Sequence, residues 1–183
     1  VSYAIPEYRA ERISILLEAA QIGVHGLCLD FCRQPPIARY HPRILDPWLK
    51  EGRDDPRKMS VSAPGFHAWA QHRSESVNIF MRDLRLQLSE VQQASKRRVP
   101  IMVRIPEATL SINLMEGLDL VTWLKEGLVD EIALDPIWIW DFEYPDTALT
   151  YVNLARAYGV KIYGGANTVA GRGVKANPRA FLE

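Results

Sequence analysis

The stretch VPIMVRIP at residues 99–106 decides the reading of the fold. Successive strand side chains point to opposite faces, so Ile101, Val103 and Ile105 share one face and Met102 and Arg104 the other. Before it runs a helix-period stretch over about 75–96. Its buried stripe is marked by Val77, Phe80, Met81, Leu84, Leu88 and Val91. The same helix-then-strand order recurs three times. A helix over about 6–20, with Pro6 in its first turn and Ile13, Leu16, Leu17 and Ala20 on one face, ends at Gly23 and leads into VHGLCLDF, 24–31. A helix over about 118–126 is closed by Gly127 and followed by VDEIALD, 129–135. A helix over about 147–158 is closed by Gly159 and followed by VKIYGG, 160–165.

Strands alternating with helices imply βαβ units and a parallel sheet. The last three strands recur at about 30-residue intervals, the size of one such unit. A full barrel has eight units and about 250 residues. The expected fold is therefore α/β: a TIM-type parallel (β/α) barrel present in part, as one domain over 1–183. The chain starts at Val1 rather than Met, so the early strands and any signal peptide are expected to lie outside it, which leaves export open. A doubly wound open sheet would want a Gly-rich phosphate loop after a strand. The one segment resembling such a loop, GGANTVAGRG at 164–173, lacks the G-x-G-x-x-G spacing and reads as a loop. The connection over about 31–74 shows no clear periodicity and is rich in Pro, Arg, His and Trp. It reads as a long loop on the active face, where Trp48, Phe66, His67 and Trp69 either stack on a ligand or pack the loop down.

Composition narrows the function. Lys plus Arg number 22 and Asp plus Glu 22, giving a formal net charge of zero. That balance argues against a nucleic-acid partner, and Lys96-Arg97-Arg98 reads as a solvated helix end. No apolar run approaches the ~20 residues needed to span a bilayer. Cys28 and Cys32, about 13 Å apart on an extended strand, read as reduced thiols. His25, His41, His67 and His72 show neither H-x-H nor H-x-x-x-H, so neither a metal nor another cofactor is expected. Oligomeric state is not legible.

The alternation carries the chemistry. If Leu27, Leu29, Phe31, Ile132, Leu134, Val160 and Ile162 meet the helices, the opposite set points into the barrel. Near the strand C-termini that set is Asp30, Arg104, Asp135 and Tyr163. Polar groups gathered there are costly unless paired, hydrated or used. Glycosidic bond cleavage needs two carboxyl groups, one to protonate the leaving oxygen and one to attack or activate water. Asp30 is the first, with Asp135 or Glu107 as partner. Arg104 and Arg33 would orient a carboxylate or hold sugar hydroxyls, unless Arg104 simply neutralises an aspartate. Trp138 and Trp140 would stack on sugar rings, and Glu143 is a reserve acid. Tyr163 and Asn167 complete the substrate-binding set. Asp119 and Asp146 read as helix-cap acids, and Asp54-Asp55 as a solvated pair.

The segment VSYAIPEYRAERISILLEAAQIGVHGLCLDFCRQPP resembles the glycosyl-hydrolase-like (β/α)-barrel proteins of the family-ten-like bacterial group. The matching residues are Tyr3, Ala4, Pro6, Glu7, Arg9, Gly26, Leu29, Asp30, Phe31 and Arg33. FMRDLRLQLSEV, VRIP and GLDLVTWLKEGLVDEIALDP are also similar, so the likeness runs from Val1 to about Pro136. It implies a barrel, a glycoside hydrolase activity, and Asp30 and Arg33 at the active mouth. Barrels with glutamates ending the fourth and seventh strands fit poorly, since the Tyr163 strand ends in Gly164-Gly165.

The leading expectation is a glycoside hydrolase acting on a poly- or oligosaccharide. It requires Asp30 on the face away from the helices and a second carboxylate within ~10 Å. A non-catalytic carbohydrate-binding barrel is the alternative, favoured by a firm Asp–Arg bridge with no free partner carboxylate. An aldolase- or isomerase-like barrel would invoke Lys161 and Gly164-Gly165, but Lys161 lies early in its strand.

Overall fold

A computed structural model describes residues 2–32, 37–135 and 145–164. The chain is a mixed α/β protein with a four-stranded, all-parallel sheet. The strands are β1 (Leu27–Asp30), β2 (Ile101–Pro106), β3 (Glu131–Asp135) and β4 (Lys161–Gly164), and they lie side by side in chain order. The helices are α1 (Pro6–Ile22), α2 (Pro42–Lys50), α3 (Pro64–Ser95), α4 (Leu110–Met115), α5 (Leu120–Lys125) and α6 (Pro145–Ala157).

Alternation sorts the strand residues as the sequence predicts. Leu27, Leu29, Ile101, Val103, Ile105, Ile132 and Leu134 are buried in one core with Val77, Phe80, Met81, Leu84 and Leu88 of α3 and Ile13 and Ala20 of α1. Cys28, Asp30, Lys161 and Tyr163 on the opposite parity are exposed, and Met102, Arg104, Ala133 and Asp135 are half-buried. Each large aliphatic side chain taken from water contributes about 1.5–3 kcal/mol, so one face is committed to the helices.

The connection between β1 and β2 differs from the long loop expected over 31–74. It contains α2, a 3-10 turn at Pro56–Lys58, and the first turns of α3, which starts at Pro64. The apolar stripe of α3 is interrupted by buried Arg73, Ser74, Ser76 and Asn78, which hide its first third from a reading based on apolar period. Phe66 and Trp69 of α3 meet Ile44, Leu45 and Trp48 of α2 in a second small core. Trp48, Phe66 and Trp69 are all buried, so they pack this connection down, while His67 is exposed. The described residues contain no helix long and apolar enough to cross a membrane.

Arginines tie the sheet's N-terminal end together. Gly23, at φ 116°, ends α1 in the left-handed region that suits glycine. Arg97 donates to the carbonyls of Ala20, Gly23 and Val24, satisfying the helix end that Gly23 leaves open. Lys96-Arg97-Arg98 is thus a working helix junction as well as a basic run. Asp130 accepts from the Ile101 backbone N–H, from Arg85 and from Arg98, each at 2.8 Å. Burial pushes its pKa up, but those three donors outweigh burial and hold it below the usual carboxylate range. A depressed native pKa means stability that is present above the unfolded value near pH 4 and lost as pH falls through the native value. Asp130→Ala is expected to cost about 2–4 kcal/mol at pH 7 and progressively less below about pH 4. Urea unfolding of both chains across that range checks it.

Candidate functional site

The parallel register sets Asp30, Arg104, Ala133 and Tyr163 in one row across the sheet, with Asp135 two residues further along β3 beside Pro106. Asp30 lies on the face away from the helices. Arg104, on the central strand β2, bridges its neighbours. Its Nη1 donates to Asp30 Oδ2 at 2.6 Å, and its Nε donates to Asp135 Oδ2 at 2.6 Å, with Nη2 on the same oxygen. Burial works against the guanidinium's charge, and the hydrogen bonds to Asp135 and Asp30 more than offset it. Two hydrogen bonds and one guanidinium width separate the two accepting oxygens, so they lie within about 8 Å of each other. The Asp30 side chain is 41% exposed and that of Asp135 only 16%, so Asp135 is the sheltered member of the pair. The other oxygen of Asp30 accepts from the Cys32 N–H at 3.0 Å and closes the turn after β1.

Glu107 follows β2 directly, and its backbone N–H donates to the Asp135 carbonyl at 3.0 Å. The residue is 4% exposed, and its Oε2 is buried without a hydrogen-bond partner among the described residues. Burial raises the pKa of this carboxyl, and the charge of Asp135 raises it further. The strand ends therefore hold two carboxylates paired to one arginine and a third carboxyl biased toward its protonated form.

Two residues absent from the sequence reading hold that third carboxyl's segment. Asn113 of α4 donates from Nδ2 to the Pro106 carbonyl at 3.0 Å and to the Tyr151 hydroxyl at 2.6 Å. Tyr151 of α6 donates to the Ala108 carbonyl at 2.8 Å. The carbonyls on either side of Glu107 are thus pinned by two helices. Both residues are buried, and burial pushes the Tyr151 hydroxyl up to about 12. Thr109 caps α4 by accepting from the Ile112 N–H, and it is the one local signal in the sequence for that helix.

Tyr163 belongs to the same row but stands two strands from Arg104, about 10 Å at normal strand spacing, and is 43% exposed. Lys161 opens β4, away from the strand C-termini, and its ammonium pairs with Glu131 at 3.3 Å. Cys28 and Cys32 are not joined by a disulfide. Burial and the charge of Asp135 push the Cys32 thiol up to about 12, the wrong direction for a nucleophile. Asp119 caps α5 as the sequence suggests. Asp55, however, is no free solvated acid: it caps the 3-10 turn and pairs with Arg57 at 2.7 Å. Arg33, Trp138, Trp140, Glu143 and Asn167 lie outside the described residues, as does the side chain of Asp146. Among the described residues no three His, Cys, Asp or Glu side chains gather as a metal site. No protein-family model matches the chain, and no curated protein matches it.

A raised native pKa at Glu107 means the folded state keeps a proton that the unfolded chain releases near pH 4.3, so stability falls as pH rises through the native value. Glu107→Gln removes that penalty. It is expected to stabilise the fold by about 1 kcal/mol at pH 7 and to leave it unchanged below about pH 4. Denaturant midpoints at the two pH values check the difference.

Proposed function

We propose that the chain is part of a (β/α)-barrel glycoside hydrolase that cleaves a poly- or oligosaccharide with carboxyl acid–base chemistry. Glu107 carries the reading: it is a buried carboxyl whose Oε2 has no hydrogen-bond partner among the described residues, next to an ion-paired aspartate at the C-terminal ends of neighbouring parallel strands. Two carboxyl groups in contrasting environments are what glycoside cleavage requires. Glu107 would give its proton to the leaving glycosidic oxygen. Asp135 would act as nucleophile or activate water, with Arg104 fixing its orientation and Asp30 sharing the arginine from the other side. The barrel is supported by the chain-order strands, by a helix layer on the apolar parity, and by polar groups on the other parity at the strand C-termini. The likeness of the Val1–Pro36 and Gly117–Pro136 segments to the family-ten-like glycosyl hydrolase group points the same way.

One observation favours a second reading, a carbohydrate-binding barrel without catalysis. Arg104 is paired with both Asp30 and Asp135, which leaves Glu107 as the acid of the cluster outside the ion pairs among the described residues. The two readings separate in an assay of hydrolysis over a panel of polysaccharides and aryl glycosides. The hydrolase reading expects Glu107→Gln and Asp135→Asn each to lower kcat/KM by about 10²–10⁴-fold with the fold intact. Saccharide binding without turnover in the unmodified chain would establish the binding reading instead.

A further inference from the structure

A second group of buried polar side chains lies apart from Arg104, on α3. Arg73 is 4% exposed, and its guanidinium makes no hydrogen bond or ion pair with the described residues; its one ring contact is Phe66, at 5.7 Å. Trp69, one turn earlier on the same helix face, is fully buried with no acceptor for its Nε1–H among the described residues. Tyr40 stacks flat on Trp69, with ring centroids 5.7 Å apart and planes within 7°, and is itself 40% exposed. Glu116, after α4, has a buried Oε2 that is likewise without a partner among the described residues. Tyr40 and Glu116 both lie within electrostatic reach of Arg73.

An arginine cannot shed its proton, so a buried guanidinium remains a cation that needs an anion. Glu116 is an acid within its electrostatic reach, yet no ion pair forms between them. Burial pushes the Glu116 carboxyl up against the opposing pull of Arg73, toward the neutral form that can donate a hydrogen bond. The site therefore offers a guanidinium and an indole N–H as donors, beside an aromatic ring reachable from solvent.

Its place in the fold suits a ligand. The 32 residues of α3 extend about 48 Å, against about 20 Å for the six residues of β2. Arg73 stands some 33 Å from the helix end that leads into β2, at 1.5 Å per residue. It therefore overhangs the C-terminal ends of the strands, the end where a (β/α) sheet binds ligands. The neighbouring backbone is fitted closely: Ile37 N–H donates to the Glu116 carbonyl at 2.8 Å, and a side chain on Gly117 would meet Ala38 at 3.0 Å.

We propose that Arg73, Trp69 and Tyr40, with Glu116 beside them, form a binding site for the carboxylate group of a small ligand. This site is independent of the Glu107 chemistry, and its test reads binding and not hydrolysis. Calorimetric titration of the 183-residue chain at pH 7 with sodium acetate, sodium D-glucuronate and D-glucose is the experiment. Both carboxylates are expected to bind and glucose not. Glucuronate binding at least about tenfold tighter than acetate assigns an acidic sugar, and equal affinities assign a simple carboxylate. Arg73→Met, which also removes a buried unpaired charge, is expected to weaken either anion by about tenfold or more. Trp69→Phe, which removes only the indole donor, is expected to weaken binding about threefold or more, and it decides the matter if the first variant does not fold. The proposal is overturned if neither anion binds, if glucose binds as well as glucuronate, or if the folded variants bind like the parent.

Discussion

A strand can place only every second side chain on a given face, and that constraint organises this molecule. Once Leu29, Val103, Ile105, Ile132 and Leu134 are committed to the helix layer, Asp30, Arg104 and Asp135 have nowhere to go but the opposite face. Parallel register then brings them to one end. Arg104 occupies the central strand, so a single guanidinium reaches an aspartate on each side. A one-residue slip in β2 would bury the arginine against α3 and expose Val103, which makes register the most heavily determined property of the sheet.

The polar cluster built this way has unequal members. Asp30 and Asp135 share one cation and differ in exposure, while Glu107 stands just outside the ion pairs in a buried position. Glu107, just past the end of β2, is 4% exposed, which is why its carboxyl is desolvated. Its setting also depends on Asn113 and Tyr151, which grip the carbonyls before and after it and thereby couple α4 and α6 to the end of β2. Similar logic governs the α3 overhang, where Arg73 interrupts an apolar stripe without gaining an ion partner among the described residues. Both places keep buried polar groups that cost stability unless they are paired, hydrated or used.

Much of the fold was legible because it rests on period and punctuation. Gly23, Gly127 and Gly159 closed three helices where the sequence placed them, all at positive φ. The four strands fell within the predicted runs. The first third of α3 was missed because Arg73, Ser74 and Asn78 occupy inward positions, so the apolar period fails where the helix is most polar inside. The six-residue α4 was missed because so short a helix has too few turns to show a period; its cap at Thr109 was the one clue. Trp48, Phe66 and Trp69 fit either a stacking surface or a packed core, and only the meeting of α2 with α3 made them core.

The sequence by itself determined which residues face the helices and which do not, because that follows from local backbone geometry and the cost of exposing aliphatic side chains. From this alone Asp30, Arg104 and Asp135 could be placed on one face at one end. Which of them pair, and which acid is left over, was decided by tertiary structure. Pairing depends on register between strands that are about 30 to 75 residues apart in the chain. The desolvation of Glu107, and of Arg73 on its helix, depends on what packs against them from distant segments, and no local pattern records that.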